Sequence, residues 1–297
     1  MQLRPLALNV LLIRDPAEKV MAMRSLWAQR SELTLDRNNC PLVPDAAVAV
    51  EAEAVDAVAT VPAPASGVST EPTAPAIAAL PGRPDRPRLI PAKQVPTRSP
   101  FTHEGLATLL HAVCHIEFNA INLALDAVWR FNGMPDAFYE DWLRVAFEES
   151  QHFDMLHQHL QSMGYAYGDF DAHDGLWQMC ERTAEDVLAR MALVPRTLEA
   201  RGLDATPLIQ EKLRKAATPD ALRVVALLDI ILRDEVGHVA IGNHWYRYLC
   251  EQRGLDPVPL YGELVKQYDA PKLRPPFNTS ARKKAGFTDT ELDYLLG

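Results

Sequence analysis

The sequence predicts an all-α protein: a four-helix bundle with one long crossover, set between proline-rich extended arms. Three observations lead there. Four long segments, roughly 103–131, 137–162, 178–201 and 219–251, repeat apolar residues at three- and four-residue steps. No stretch shows the alternation of a half-buried strand. Proline crowds the flanks, in GRPDRPRLIPAKQVPTRSP before the bundle and in APKLRPPFNTSARKKAGF after it.

Composition fits one large domain or two small ones. The 297 residues are 48% hydrophobic and 23% charged, which excludes disordered, collagen-like and disulfide-dense classes. Cys40, Cys114, Cys180 and Cys250 lack C-x-x-C spacing and read as reduced, buried thiols rather than a zinc or redox site. No apolar run approaches the ~18 residues that a membrane span needs. The run Leu6–Ile13 is short, is broken by Asn9 and precedes no A-x-A cleavage site. The expectation is a cytoplasmic protein, with no membrane partner.

In chain order, residues 1–40 form an N-terminal segment with a short helix, because Asp15, Pro16 and Glu18 stand as cap, first and third helical positions. Residues 41–81 are dominated by Ala, Val and Pro, bury too little to offset ordering entropy, and read as a flexible linker. Residues 82–100 are too proline-rich for helix or sheet; they read as an extended arm across the surface of the bundle, or as plain tether. The bundle occupies 101–255, and 256–297 is a C-terminal extension closing in a helix capped by Thr288 and Glu291. Residues 101–297 hold 19 basic and 29 acidic side chains, while the arm at 81–100 carries a net +4. An acidic bundle repels phosphate, which disfavours nucleic acid as a partner.

The chemistry lies in carboxylates on faces that should be apolar. In the first long segment Leu110, Val113, Cys114, Ala120, Ile121, Ala124, Leu125 and Val128 form one stripe, and Glu117 sits inside it. Glu149 and His152 interrupt the stripe of the second segment, and Glu235 and His238 that of the fourth. In the third, Leu188, Met191, Ala192 and Pro195 lead onto Glu199. Carboxylates are rarely buried unless paired or bound to metal. Two E-x-x-H pairs and two further Glu, one set per helix, form the donor inventory of dinuclear iron and manganese bundles. Read singly, each has an ordinary explanation: Glu117 as the end of a polar patch, Glu149 and His152 as a surface pair, Glu199 as a partner of Arg196 or Arg201. The complete ordered set outweighs them.

Each E-x-x-H is preceded by an acid, Glu148 or Asp234. A ligating histidine donates its other N–H to such a group. In an antiparallel pair Asp234 would reach His152, and Glu148 would reach His238. Pro195, four residues before Glu199, removes a helix hydrogen bond and should kink that helix, which is either an opening for substrate or dioxygen or a packing accident. The stretch 165–177 has the length of a single long crossover; His173 and Asp174 in it could line an entrance or serve the loop.

The blocks HAVCHIEFNAINLALDAVWRF, EESQHFDMLHQHL, YGDFDAHDGLW, PRTLEARGLD and RDEVGHVAIGNHWY, with the proline-rich flanks, resemble an uncharacterised ferritin-like family known as a domain of unknown function. The resemblance runs from about Gly82 to the C-terminus and omits 41–80. That family is similar to di-iron tRNA hydroxylases and, more distantly, to ferritins and rubrerythrins. The resemblance implies a ferritin-like four-helix bundle with non-haem di-iron at Glu117, Glu149, His152, Glu199, Glu235 and His238.

Carboxylate-rich coordination suits two iron ions, with di-manganese or a mixed pair as the alternative. The function expected is an oxygen-activating oxidoreductase, a hydroxylase or monooxygenase. Its partners would be dioxygen, a small organic substrate and a separate electron donor, since no flavin or nicotinamide fingerprint is present. Ferroxidation or iron handling, di-manganese peroxide degradation, and a non-catalytic interaction bundle are the rivals. A homodimer is compatible with each.

Overall fold

A computed structural model describes residues 2–35 and 80–296, so Cys40 and nearly all of the expected linker lie outside the described residues. Among the described residues the regular elements are helices, with no strand and only two isolated bridges. They are α1 (Leu3–Leu12), α2 (Pro16–Ala28), α3 (His103–Arg130), α4 (Asp136–Ser162), α5 (Gly175–Arg182), α6 (Val187–Leu193), a π-helical turn (Val194–Glu199), α7 (Ala200–Ala216), α8 (Pro219–Gln252), α9 (Pro257–Gln267), α10 (Thr279–Lys284) and α11 (Asp289–Leu296). Among the described residues no helix is long and apolar enough to cross a membrane.

Local chemistry starts several of these. Asp15 accepts from the Glu18 N–H at 2.9 Å with Pro16 at the first position of α2. Thr102 caps α3 through Gly105 N–H at 3.1 Å, and Thr218 caps α8 through Ala221 N–H at 3.2 Å. The short turn after α3 returns the chain as α4, which packs along it; α7 and the π turn pack along α8, and α4 meets α8. Outside this core α1 covers α3 and α2 covers α4, so Leu6–Ile13 belongs largely to a helix with buried Ala7, Leu8, Val10 and Leu11. Cys114, Cys180 and Cys250 are buried free thiols.

The third long helix departs from the expected 178–201. The chain stops at Arg182, restarts at Val187 under an Asp186 cap (2.9 Å to Leu188 N–H), and continues through the π turn to Ala216. Buried Arg190 fixes that corner. It donates to Thr183 Oγ1 at 2.8 Å and to Asp126 Oδ2 of α3 at 2.6 Å, and also to the Cys180 carbonyl.

Residues 82–100 run along the crossover. Ile90 N–H donates to Ala172 O at 2.9 Å and Ala172 N–H to Arg88 O at 3.0 Å. Arg83 pairs with Asp174 and Arg88 with Asp171, each at 2.6 Å. Acids of the crossover thus neutralise much of the arm's positive charge, and Asp174 serves the loop. The His173 carbonyl faces His115 Nε2 at 3.1 Å.

Lys19 ties the N-terminal helices to the core. Fully buried, it donates to Leu11 O at 3.1 Å, to Gly82 O at 3.0 Å and to Asn122 Oδ1, with the Phe118 ring 4.9 Å away. Burial, with the Arg83 charge adding, pulls its pKa well below the usual lysine value. Lys19→Met keeps the stem and strands two acceptors, Gly82 O and Asn122 Oδ1, while Leu11 O keeps the Gly82 N–H. Urea unfolding should show a loss of about 2–4 kcal/mol with helix content retained.

Candidate metal centre

The six residues expected as ligands come from four helical segments, and all six are buried. Glu117 comes from α3, Glu149 and His152 from α4, Glu199 from the end of the π turn, and Glu235 and His238 from α8. All six are no more than about a tenth exposed. Glu117, Glu149, His152 and Glu235 form a group that could hold a metal ion, each offering one ligand atom within 4.8 Å of the others.

Glu149 stands at the centre. One of its oxygens lies 3.2 Å from His152 Nδ1, and the other lies 2.8 Å from His238 Nδ1. Glu117 Oε2 is 3.5 Å from His152 Nδ1, and Glu235 Oε1 is 3.7 Å from His238 Nδ1. Glu199 stands apart from the group of four, with both oxygens buried and unpartnered. Arg196 turns away from it toward Asn243 and Glu291, so the ordinary ion-pair explanation fails for that arginine.

The outer ring nitrogens are held as the spacing foretold. His152 Nε2 lies 3.1 Å from Asp234 Oδ2, and His238 Nε2 lies 2.7 Å from Glu148 Oε2. Each imidazole therefore offers Nδ1 inward while a carboxylate of the opposite helix fixes its ring. Side-chain exposures of 22% for Asp234 and 32% for Glu148 place these braces at the edge of solvent.

Among the six, the hydrogen bonding between side chains is confined to His152 Nδ1 with Glu149 Oε2 at 3.2 Å. Glu117 Oε2, Glu149 Oε1, Glu235 Oε2, His238 Nδ1 and both oxygens of Glu199 are buried without a hydrogen bond. Even the 2.8 Å approach of Glu149 Oε1 to His238 Nδ1 lacks hydrogen-bond alignment. Native interiors leave few such atoms, and those of Glu117, Glu149, Glu235 and His238, gathered together, fit a cation that they share. Four carboxylates and two neutral imidazoles are also neutralised by two divalent ions.

Without metal, protons hold the balance. Desolvation, reinforced by the Glu149 charge, raises Glu117; desolvation with Glu235 and Glu149 raises Glu199; desolvation and Glu149 raise Glu235. Against its own desolvation, Glu149 is held well below the usual carboxylate value by His238 and then His152. Against desolvation, the close approach of Glu117 and Glu149 pushes His152 up to about 11. Against desolvation too, the Glu149 charge and the nearness of Glu148 raise His238.

Pro195 is absorbed by the π turn rather than by a simple kink. Ala200 N–H reaches back five residues to Pro195 O, and Thr197 Oγ1 covers the Ala192 carbonyl at 2.7 Å. The proline ring lies against Gly242 of α8, where an added Cβ would fall 2.5 Å from Pro195 Cβ. Gly242, one turn beyond His238, thereby lets the turn carrying Glu199 approach α8. Periodicity alone puts Gly242 on this face; its partnership with Pro195 has no local signal. Open clefts of about 460 Å³ around Arg4, Asn132 and Tyr139, and of about 440 Å³ around Trp27 and Arg144, include none of the six donors.

Over residues 12–293 the chain matches the family described as "Protein of unknown function (DUF455)", and it belongs to that family. A protein of Haemophilus influenzae described as "Uncharacterized protein" is 54% identical over 219 residues, covering 71% of this chain and 75% of that relative. No solved structure matches the chain.

The raised groups set the sign of the pH dependence of the metal-free protein. Folded Glu117, Glu199, Glu235, His152 and His238 bind protons that the unfolded chain releases, so stability should fall as pH rises from about 5 to 9. Glu199→Met removes an unpartnered buried carboxyl. In chelator-treated protein it should raise stability by about 1–3 kcal/mol and flatten that slope, as read by thermal unfolding across the range.

Proposed function

We propose that the protein is a ferritin-like four-helix carboxylate protein that holds two metal ions, iron by preference, and uses them as an oxygen-activating oxidoreductase on a small organic substrate. The observation that carries this reading is the set of six inward donor atoms left without hydrogen bonds, framed by two braced histidines. Glu117, Glu149, His152, Glu199, Glu235 and His238 would hold the pair. When bound, two such ions supply electrons for the reduction of dioxygen.

The chain's own residues do the rest. Glu149 lies between the two imidazoles and, among the described residues, is the carboxylate that reaches both, so it ties the two halves together. Asp234 and Glu148 keep His152 and His238 with Nδ1 inward and raise their basicity. Buried Cys114, Phe118, Ile121, Phe153 and Val239 neighbour the donors on the same helices and keep bulk water out. Hard oxygen donors outnumber nitrogen donors, which favours iron or manganese over softer-ligand metals. Electrons would arrive from a separate donor, and the proposed setting is the cytoplasm.

Elemental analysis of protein from iron-replete cells should find about two irons per chain, with a near-ultraviolet charge-transfer band that bleaches with dithionite. Replacing Glu149 and His152 together with Ala should abolish both. Two manganese ions per chain would move the chemistry to peroxide. No metal after anaerobic ferrous reconstitution would sink the enzyme reading.

A further inference from the structure

Glu199 is the donor with no side chain to hold it. Both of its oxygens are buried and unpartnered, so its position is set by the backbone of the π turn. That turn is fastened by Arg196, three residues earlier and 2% exposed. Arg196 Nη2 donates to Glu291 Oε1 at 2.9 Å, Nη1 donates to Asn243 Oδ1, and its guanidinium lies 4.6 Å from the Phe287 ring centroid. Asn243 in turn donates to Ala285 O at 2.8 Å. Three of these partners, Glu291, Phe287 and Ala285, lie in or beside α10 and α11, about 90 residues further along the chain.

Glu291 does two jobs. Its Oε2 accepts from Thr288 N–H and Arg247 Nη2, both at 2.8 Å, completing the helix cap; its Oε1 is left for Arg196. A cap alone needs one oxygen and no buried arginine. A guanidinium packed among rings, by contrast, needs a counter-charge to remain there.

We propose that the C-terminal segment is a positioning element of the metal centre: through Glu291 and Arg196 it clamps the π turn and thereby places the Glu199 carboxylate. This rests on the proposed metal pair for the role of Glu199, and on geometry alone for the clamp. The pair makes one half of the site dependent on the C-terminus. Glu117 and His152 stand on α3 and α4, and their described side-chain contacts include none with the C-terminal segment.

Glu291→Gln in the full chain keeps the cap and removes the charge. Chelator-stripped protein is titrated with Co(II), followed by visible absorption and calorimetry, and hydrogen exchange is measured over residues 194–200. The wild type should take two Co(II). Glu291→Gln should keep one at wild-type affinity, weaken the other about tenfold or more, and exchange faster over 194–200 but not over 110–130. Asp289→Asn, on the same helix as Glu291, breaks an exposed pair with Lys283 of α10 and should change neither. Wild-type affinity at both positions, equal weakening of both, or unchanged exchange over 194–200 overturns the clamp. A wild type that takes up no Co(II) overturns the metal reading itself, and with it any role of the clamp in metal binding.

Discussion

The structure depends on one costly act: four carboxylates and two imidazoles are taken out of water into the seam where the long helices meet. Apolar packing alone would not tolerate them. Everything near the seam answers that cost. Glu149 sits between two imidazoles, each imidazole is held from behind by an acid of the facing helix, and the remaining charge is left to protons or to a cation. The seam proposed to do chemistry is therefore also the least stable way to fill that volume. Proteins commonly accept such a trade at functional sites.

Stiffness is distributed unevenly around the seam. Glu117, Glu149 and His152 project from α3 and α4, two long and continuous helices packed together along their length. Glu199 sits where a helix has been widened to accommodate Pro195, and π turns of this kind cluster at functional places. A proline ring against a glycine on one side and a buried arginine on the other hold that turn. The two halves of the candidate centre thus differ in the length of chain needed to build them.

Much of this was legible in the sequence, for a definable reason. Helical periodicity is local, so a Glu or His inside an apolar stripe can be recognised without knowing its neighbours, as for Glu117, Glu149 and His238. The reach of Asp234 to His152 and of Glu148 to His238 followed from one further assumption, that their helices run in opposite directions. The break between Arg182 and Val187 was not legible, because it answers to Arg190 meeting Asp126, 64 residues away. Arg196 looked like a neighbour for Glu199; its actual partner lies 95 residues on, where local spacing carries no signal. The arm at 82–100 was ambiguous because its prolines specify extension but not what the chain extends across.

Thr34 and Gly82, on either side of the Ala/Pro-rich stretch, are both moored to the first helix. Leu3 N–H donates to Thr34 O at 3.0 Å, and Gly82 N–H donates to Leu11 O at 2.9 Å. These two points of the chain are therefore held at opposite ends of a single ten-residue helix. Closing a loop between two fixed points costs only about 0.6 kcal/mol more for each doubling of its length. A change in the number of residues between 34 and 82 therefore alters the closure cost little and leaves both moorings of the first helix in place.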